Sequence, residues 1–284
     1  MTTIRALEAR LRAWKSFRGI AHAARTLAAA QSLRWSARVT AAARHLAWCD
    51  ALAKDLGPPP PAPRLPVLVG LGTDLGLCGR LNRLVADAFV AEHRARAPAL
   101  AVVVGQRLHA ELHGAHDLLA FPAPTSIAAV QALAGRLERV LRPLGPASAL
   151  DLTLVVASRT LASGTPVIDT WVLPPPLDGD GAIAAALAGP RLGLTPPERL
   201  VDPAAGLLVH ARLVHALCVA QASEAAARLQ TMSRAVEQSE RRIGEQEREV
   251  RKVHQETTTQ EMLEVLGGGR SVVRAWRRRE PGRD

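Results

Sequence analysis

The sequence predicts an α/β protein: a long antiparallel two-helix coiled coil formed by the N- and C-terminal helices, plus a small Rossmann-like α/β domain. Three observations predict it. The chain carries 20 prolines, yet none lies before Pro58 and none between Pro203 and Pro281, so both ends are free of the strongest helix breaker. The later run has apolar residues at alternating three- and four-residue steps. Between the ends, short apolar runs alternate with helical patterns, the order of a largely parallel sheet.

The first helix is expected over 1–57, stopped by Gly57 and the prolines that follow. Ile4, Leu7, Leu11 and Trp14 begin an apolar stripe. Ile20, Ala24 and Leu27, then Trp35, Val39, Ala42 and Leu46, carry it onward, with alanines around Ala28 that permit close approach. After the prolines, Val67-Leu68-Val69-Gly70-Leu71 reads as a strand buried on both faces. A glycine-rich turn over 72–79 leads to a helix at 81–95, a second strand at 99–104, a short helix at 106–113 and a short strand at 117–121. A helix over 126–141 has Ile127, Val130, Leu133, Leu137 and Leu141 on one face, with Thr125 or Ser126 as its cap. Two further strands, at 150–157 and 167–173, read as a hairpin. Residues 174–203 are loop-rich, with a helical turn near 182–187.

The last helix is expected over 206–266. Leu229, Val236, Ile243, Val250 and Thr257 share one heptad column, and Met232, Ser239, Gln246, Val253 and Gln260 the other. Such a helix is roughly 90 Å long, against about 40 Å for a globular domain of this size, so it must project and needs a partner. The opposite end of the chain supplies one. The expected domains are 1–57, an N-terminal coiled-coil helix; 64–203, a Rossmann-like α/β domain; and 204–284, a C-terminal coiled-coil helix with a basic tail.

The formal net charge of +10 is unevenly placed. Residues 1–57 hold ten Lys and Arg against Glu8, Asp50 and Asp55, and the tail holds Arg270, Arg274, Arg277, Arg278 and Arg279, whereas 58–206 are balanced. Basic ends imply an acidic partner: nucleic acid, anionic lipid or an acidic protein surface. Cys49, Cys78 and Cys218 show no paired spacing, which suggests a reducing compartment. The charged first residues lack a following apolar h-region, so no signal peptide is expected, and the apolar runs read as too short to cross a bilayer. A soluble cytoplasmic protein is the expectation.

Enzyme-like motifs do not assemble. Gly70-Leu71-Gly72 is followed by Leu75 where the dinucleotide fingerprint needs glycine, and Gly76 comes one place late. His109, His113 and His116 stand at i, i+4 and i+7, but no carboxylate or cysteine joins them in a metal pattern and Gly114 interrupts the helix. No catalytic site, metal or cofactor is expected. Two rival readings remain from residues alone: an arginine-rich coiled-coil adaptor binding nucleic acid or an anionic surface, and a small Rossmann-like enzyme with helical extensions.

Three stretches, in order, give the chain a family resemblance. Ile20-Ala21-His22-Ala23-Ala24-Arg25-Thr26-Leu27-Ala28-Ala29 stands where one family carries I-T-K-A-M-x-M-V-A-A. Thr73-Asp74-Leu75-Gly76-Leu77-Cys78-Gly79-Arg80-Leu81-Asn82 is similar to its S-D-R-G-L-C-G-G-L-N. The stretch 251–265, with Gln255 and Thr259-Gln260-Glu261, is similar to its N-K-A-R-Q-x-x-I-T-Q-E-I-x-E-I. The chain resembles the gamma subunit of the F-type ATP synthase. Leu75 replaces a family arginine, Arg80 a glycine, and His254 an arginine, so this is a divergent member.

The resemblance implies a central rotor shaft that transmits torque between a membrane c-ring and a catalytic ring, coupling proton or sodium movement to ATP synthesis or hydrolysis. It implies three alpha and three beta subunits, the epsilon subunit and the c-ring as partners, with no nucleic acid. The implied location is the cytoplasmic face of a bacterial plasma membrane, peripheral through the complex. It implies subunit contacts at Gln255, Thr259, Gln260 and Glu261, with Arg251, Lys252 and His254 beside them, and at Asp74, Gly76, Leu77 and Cys78 in the glycine turn.

Overall fold

The computed structural model describes residues 4–56, 64–112, 117–160, 166–173, 196 and 199–277. The elements run α1 (Ile4–Leu56), β1 (Leu65–Leu71), α2 (Leu81–Arg96), β2 (Leu100–Val104), α3 (Gln106–Glu111), β3 (Leu118–Phe121), α4 (Ile127–Leu141), β4 (Leu150–Thr160), β5 (Pro166–Leu173) and α5 (Val201–Arg277). The helical turn expected near 182–187 lies outside the described residues. The chain divides into two compact units, Ala24–Met232 and Met1–Ala23 with Ser233–Asp284, so both long helices contribute to both units.

The larger unit is built on a five-stranded sheet of order β3-β2-β1-β4-β5. β1 pairs parallel with β2 and β4, β2 pairs parallel with β3, and β5 closes an antiparallel hairpin with β4. The continuous apolar runs of β1, β2 and β4 follow from burial on both faces. Alternate residues feed alternate cores. Val67, Val69, Val102, Val104, Leu152 and Leu154 face a core shared with α4, Trp35 and Leu46 of α1, and Leu208, Leu213 and Leu217 of α5. Leu68, Val103 and Val155 face a second core filled by Val85 and Phe89 of α2, Leu108 of α3 and Ala227 of α5. Ser126 caps α4, its hydroxyl accepting the Ala129 N–H at 3.2 Å.

In the smaller unit, Lys15 Nζ meets Glu247 Oε1 at 2.8 Å and Glu8 Oε1 meets His254 Nε2 at 3.6 Å. A step back along α1 is a step forward along α5, so the two are antiparallel. The heptad register of α5 holds: Val236, Ser239 and Ile243 are buried, and Gln246, Val250 and Val253 half-buried. Thr257 and Gln260, the last members of each column, are exposed.

Three sequence expectations change. Ile20 and Leu27 do not carry the stripe of α1; they are 68% and 56% exposed. Leu7 and Trp35 of the expected stripe are buried, as is Ala28 among the expected close-approach alanines, and Ala21 and Cys49 join them on one seven-residue column. Ile20 and Leu27 lie one residue off that column and so turn outward. The last helix starts before Pro203, not after it, because the first turn has no intrahelical partner for a proline N–H to lose. Finally, α5 does contain a window apolar and long enough to cross a bilayer, but 56% of that window is buried inside the protein, as in a core helix.

Candidate subunit-contact surfaces

The glycine turn after β1 is held from within. Thr73 and Asn82 are both buried. The Thr73 N–H donates to Asn82 Oδ1 at 3.0 Å, Asn82 Nδ2 donates to Thr73 Oγ1 at 2.9 Å, and Thr73 Oγ1 donates to the Leu75 carbonyl at 2.7 Å. The turn is also tied to α3: the Arg107 N–H reaches the Thr73 carbonyl at 2.9 Å, and the Gln106 N–H reaches Asp74 Oδ1 at 2.8 Å. Asp74 thus satisfies an orphan donor at the start of α3.

This packing explains why the turn holds no phosphate-loop geometry. A Cβ at Gly72 would stand 2.4 Å from Leu108 Cβ, and one at Gly70 2.7 Å from Phe89 Cδ2. The glycines make room for α2 and α3, not for a ligand. Of the histidine set, His109 is exposed on α3, and His113 and His116 lie outside the described residues.

The turn presents a defined tip. Leu75 is 64% and Leu77 62% exposed, and Leu77 is held at φ 67, a left-handed conformation unusual for leucine. Asp74 and Gly76 are half-buried beside them. Cys78 is different: it is buried, with Thr73 Oγ1 and Asn82 Nδ2 each 3.7 Å from its Sγ, and burial pushes its thiol up. It supports the tip from below.

The second surface is the far part of α5. Arg251, Lys252, His254, Gln255, Thr259, Gln260 and Glu261 are all exposed. Lys252 Nζ lies 3.9 Å from Glu256 Oε1, and Thr259 Oγ1 donates to the Gln255 carbonyl at 2.8 Å. Gln255, Thr259, Met262 and Leu266 follow i, i+4, i+7 and i+11 and so share one face. Together with His254, Thr258 and Leu263 they line an open depression of about 390 Å³. Sequence reasoning picked the polar members and missed the apolar ones. The available signal was a run of apolar residues past the point where the seam columns turn polar.

The comparisons bear on family and fold. The family model described as ATP synthase matches residues 3–272. No curated protein sequence matches the chain. Among solved structures, it is similar to a chain of the Euglena gracilis mitochondrial ATP synthase assembly of OSCP, F1 and c-ring, at 14% identity, 99% coverage of this chain and 98% of that one, with a TM-score of 0.63. A rotor structure of the same organism's enzyme gives 13% identity, 89% and 98% coverage and a TM-score of 0.61. The central stalk and c-ring of the Tetrahymena thermophila mitochondrial enzyme gives 18% identity, 76% and 99% coverage and 0.52. At these identities the structural likeness carries the fold.

Proposed function

We infer the role of this chain from its family: it belongs to the ATP synthase family as a gamma subunit, and it is a central-stalk rotor subunit of an F-type ATP synthase. The match over 3–272, nearly the whole chain, is the observation that carries the reading. The subunit does its work by transmitting torque. Residues 1–57 and 204–284 serve as the shaft, and 64–203 as the body that meets neighbouring rotor subunits. Its partners are a ring of three alpha and three beta subunits, the epsilon subunit and the membrane c-ring. It is thereby peripheral to the membrane, at the cytoplasmic face of a bacterial plasma membrane. Rotation couples ion movement through the membrane sector to ATP synthesis or hydrolysis.

Gln255, Thr259, Gln260 and Glu261, with Lys252 and His254, contact the catalytic ring from the exposed part of α5. Asp74, Gly76 and Leu77 contact an acidic lever of the beta subunit or the adjoining rotor subunits, with Cys78 supporting them. The basic face of α1 complements such an acidic surface.

Affinity purification of the tagged chain from its native cells tests the role. Alpha and beta subunits in about threefold excess, with epsilon and c, are expected; the chain alone, or with nucleic acid, would overturn it. The contacts are tested by Ala at Gln255, Thr259 and Glu261 together. ATP-driven ion pumping should fall at least several-fold, and unaltered coupling would remove the proposed contacts.

A further inference from the structure

We propose that Leu75, Gly76 and Leu77 form an apolar knob that docks against an apolar segment of the surrounding alpha–beta ring, with Gly76 as the point of closest approach. The proposal rests on the rotor reading. It narrows the contact of the glycine turn to one partner and one chemistry, apolar side chains rather than carboxylates.

Gly76 has no internal reason to be glycine. Its φ lies outside the left-handed range, and a Cβ built on it would meet no atom within 4 Å. Gly70 and Gly72 differ, since a Cβ on either would run into α2 or α3. With backbone and packing both indifferent, a missing side chain at Gly76 serves close approach from outside. Leu75 and Leu77 flank that point and are both largely exposed. Leu77 stands at φ 67, where glycine or asparagine sits more easily. Large apolar side chains held in water, one of them on a disfavoured backbone, mark a recognition surface.

The chemistry of the tip follows from where its polar atoms go. Asp74 Oδ1 accepts the Gln106 N–H at 2.8 Å, and Thr73 Oγ1 donates to the Leu75 carbonyl at 2.7 Å, so these groups are engaged within the chain. A partner is offered two leucines about a bare backbone, with exposed Arg80 as a charged rim. The turn also stands beside the last part of α5 within the sheet unit. Asp74 and Leu75 line a cavity of about 70 Å³ with Glu224 and Arg228, and a Cβ at Gly79 would lie 3.5 Å from Thr231 Oγ1. That unit ends at Met232, and α5 runs on as the shaft. Thr231 is roughly 45 Å along the helix from its start at Val201. On the rotor reading the ring surrounds the shaft, so the tip stands on the ring side of the body.

Reassembly of the full-length chain with the alpha–beta ring purified from the same cells supplies the test. Gly76→Val should bind at least tenfold more weakly while the melting temperature of the free chain holds, since a side chain there starts into open space. Leu75→Arg should also bind at least tenfold more weakly, in low and in high salt, because an apolar socket cannot take up a guanidinium. An acidic socket would instead bind it more tightly, with a gain that fades in salt. Wild-type binding by Gly76→Val at an unchanged melting temperature, tighter binding by Leu75→Arg, or a loss confined to the epsilon subunit would overturn the proposal. Should Gly76→Val melt early, Leu77→Asn decides, since asparagine suits the left-handed backbone. Weaker binding at an unchanged melting temperature is then expected, and wild-type binding would remove the knob. A wild-type chain that does not bind the ring would sink the rotor reading and this contact with it, whereas a bound chain with an indifferent tip sinks the contact alone.

Discussion

α5 is one unbroken helix with two unlike halves. Between Ala204 and Ala227 it buries residues on nearly every side, among them Leu208, Leu213, Leu217 and Cys218. Within 233–266 only Val236, Ser239 and Ile243 are buried, and every residue of 254–266 is exposed. The first half is a core element whose stability comes from area removed from water on several faces. The second is a single-seam helix whose seam tolerates Ser239 and Gln246. The lesson is that hydrophobic burial makes one half of the helix resistant to loss, whereas the other depends on one narrow stripe and leaves its remaining surface for partners.

The largest test of this contrast is Leu213→Ala. Leu213 is fully buried, so its loss should cost about 2–5 kcal/mol. Chemical denaturation of the full chain measures it; a loss no greater than that of an exposed-site control such as Leu263→Ala would contradict the core assignment.

Next is Gln246→Leu in the seam. Its Oε1 is buried without a hydrogen-bond partner while its Nε2 reaches Glu249 Oε2 at 3.0 Å. Removing the orphan oxygen should raise stability by about 1 kcal/mol. Slower hydrogen exchange in 236–250 checks it, and faster exchange would show that the amide is needed there.

A smaller effect is expected from pH in the sheet unit. His215 stacks on Trp171 of β5 with ring centroids 5.4 Å apart, and burial, then the neighbouring Arg212, holds its pKa below the ordinary 6.5. The folded form therefore binds a proton less readily than the unfolded form. The stability owed to the neutral ring is full above the ordinary value and is lost as pH falls through it. Melting temperature should drop on acidification below about pH 6.5, and His215→Phe should flatten that limb. An equal slope in the variant would assign the loss to other groups.

Smallest should be Lys15→Gln. Lys15 pairs with Glu247 at 2.8 Å on the open side of the smaller unit, where water screens the charges. The melting temperature should move less than for any variant above, and the little that moves should vanish in high salt.

The legible parts of this fold share a cause. β1 and β2 were readable within two residues and β4 within three, because burial on both faces demands unbroken apolar runs. The heptad columns from Leu229 to Val253 were readable because a seam repeats. The cap of α4 was readable to Thr125 or Ser126 because capping is a local act, and Ser126 is the one that serves. The contact surfaces were half legible. Gln255, Thr259, Gln260 and Glu261 stand out through a resemblance of sequence, but Met262 and Leu266 join them only once the helix face is drawn. Cys78 looked like its neighbours in the turn, and only its burial beneath Leu75 and Leu77 separates support from surface.

The sequence by itself determined the helices, the strand runs, the failed nucleotide spacing and the family, since each rests on local pattern or on motif order. The tertiary structure alone decided which residues of α1 face the seam. Ala21 is buried and Ile20 and Leu27 are exposed there because the buried face repeats every seven residues through Leu7, Ala21, Ala28 and Trp35, a column one residue off Ile20 and Leu27. It alone brought Asp74, Glu224 and Arg228 to one cavity, because no local pattern relates a turn to a helix so far along the chain.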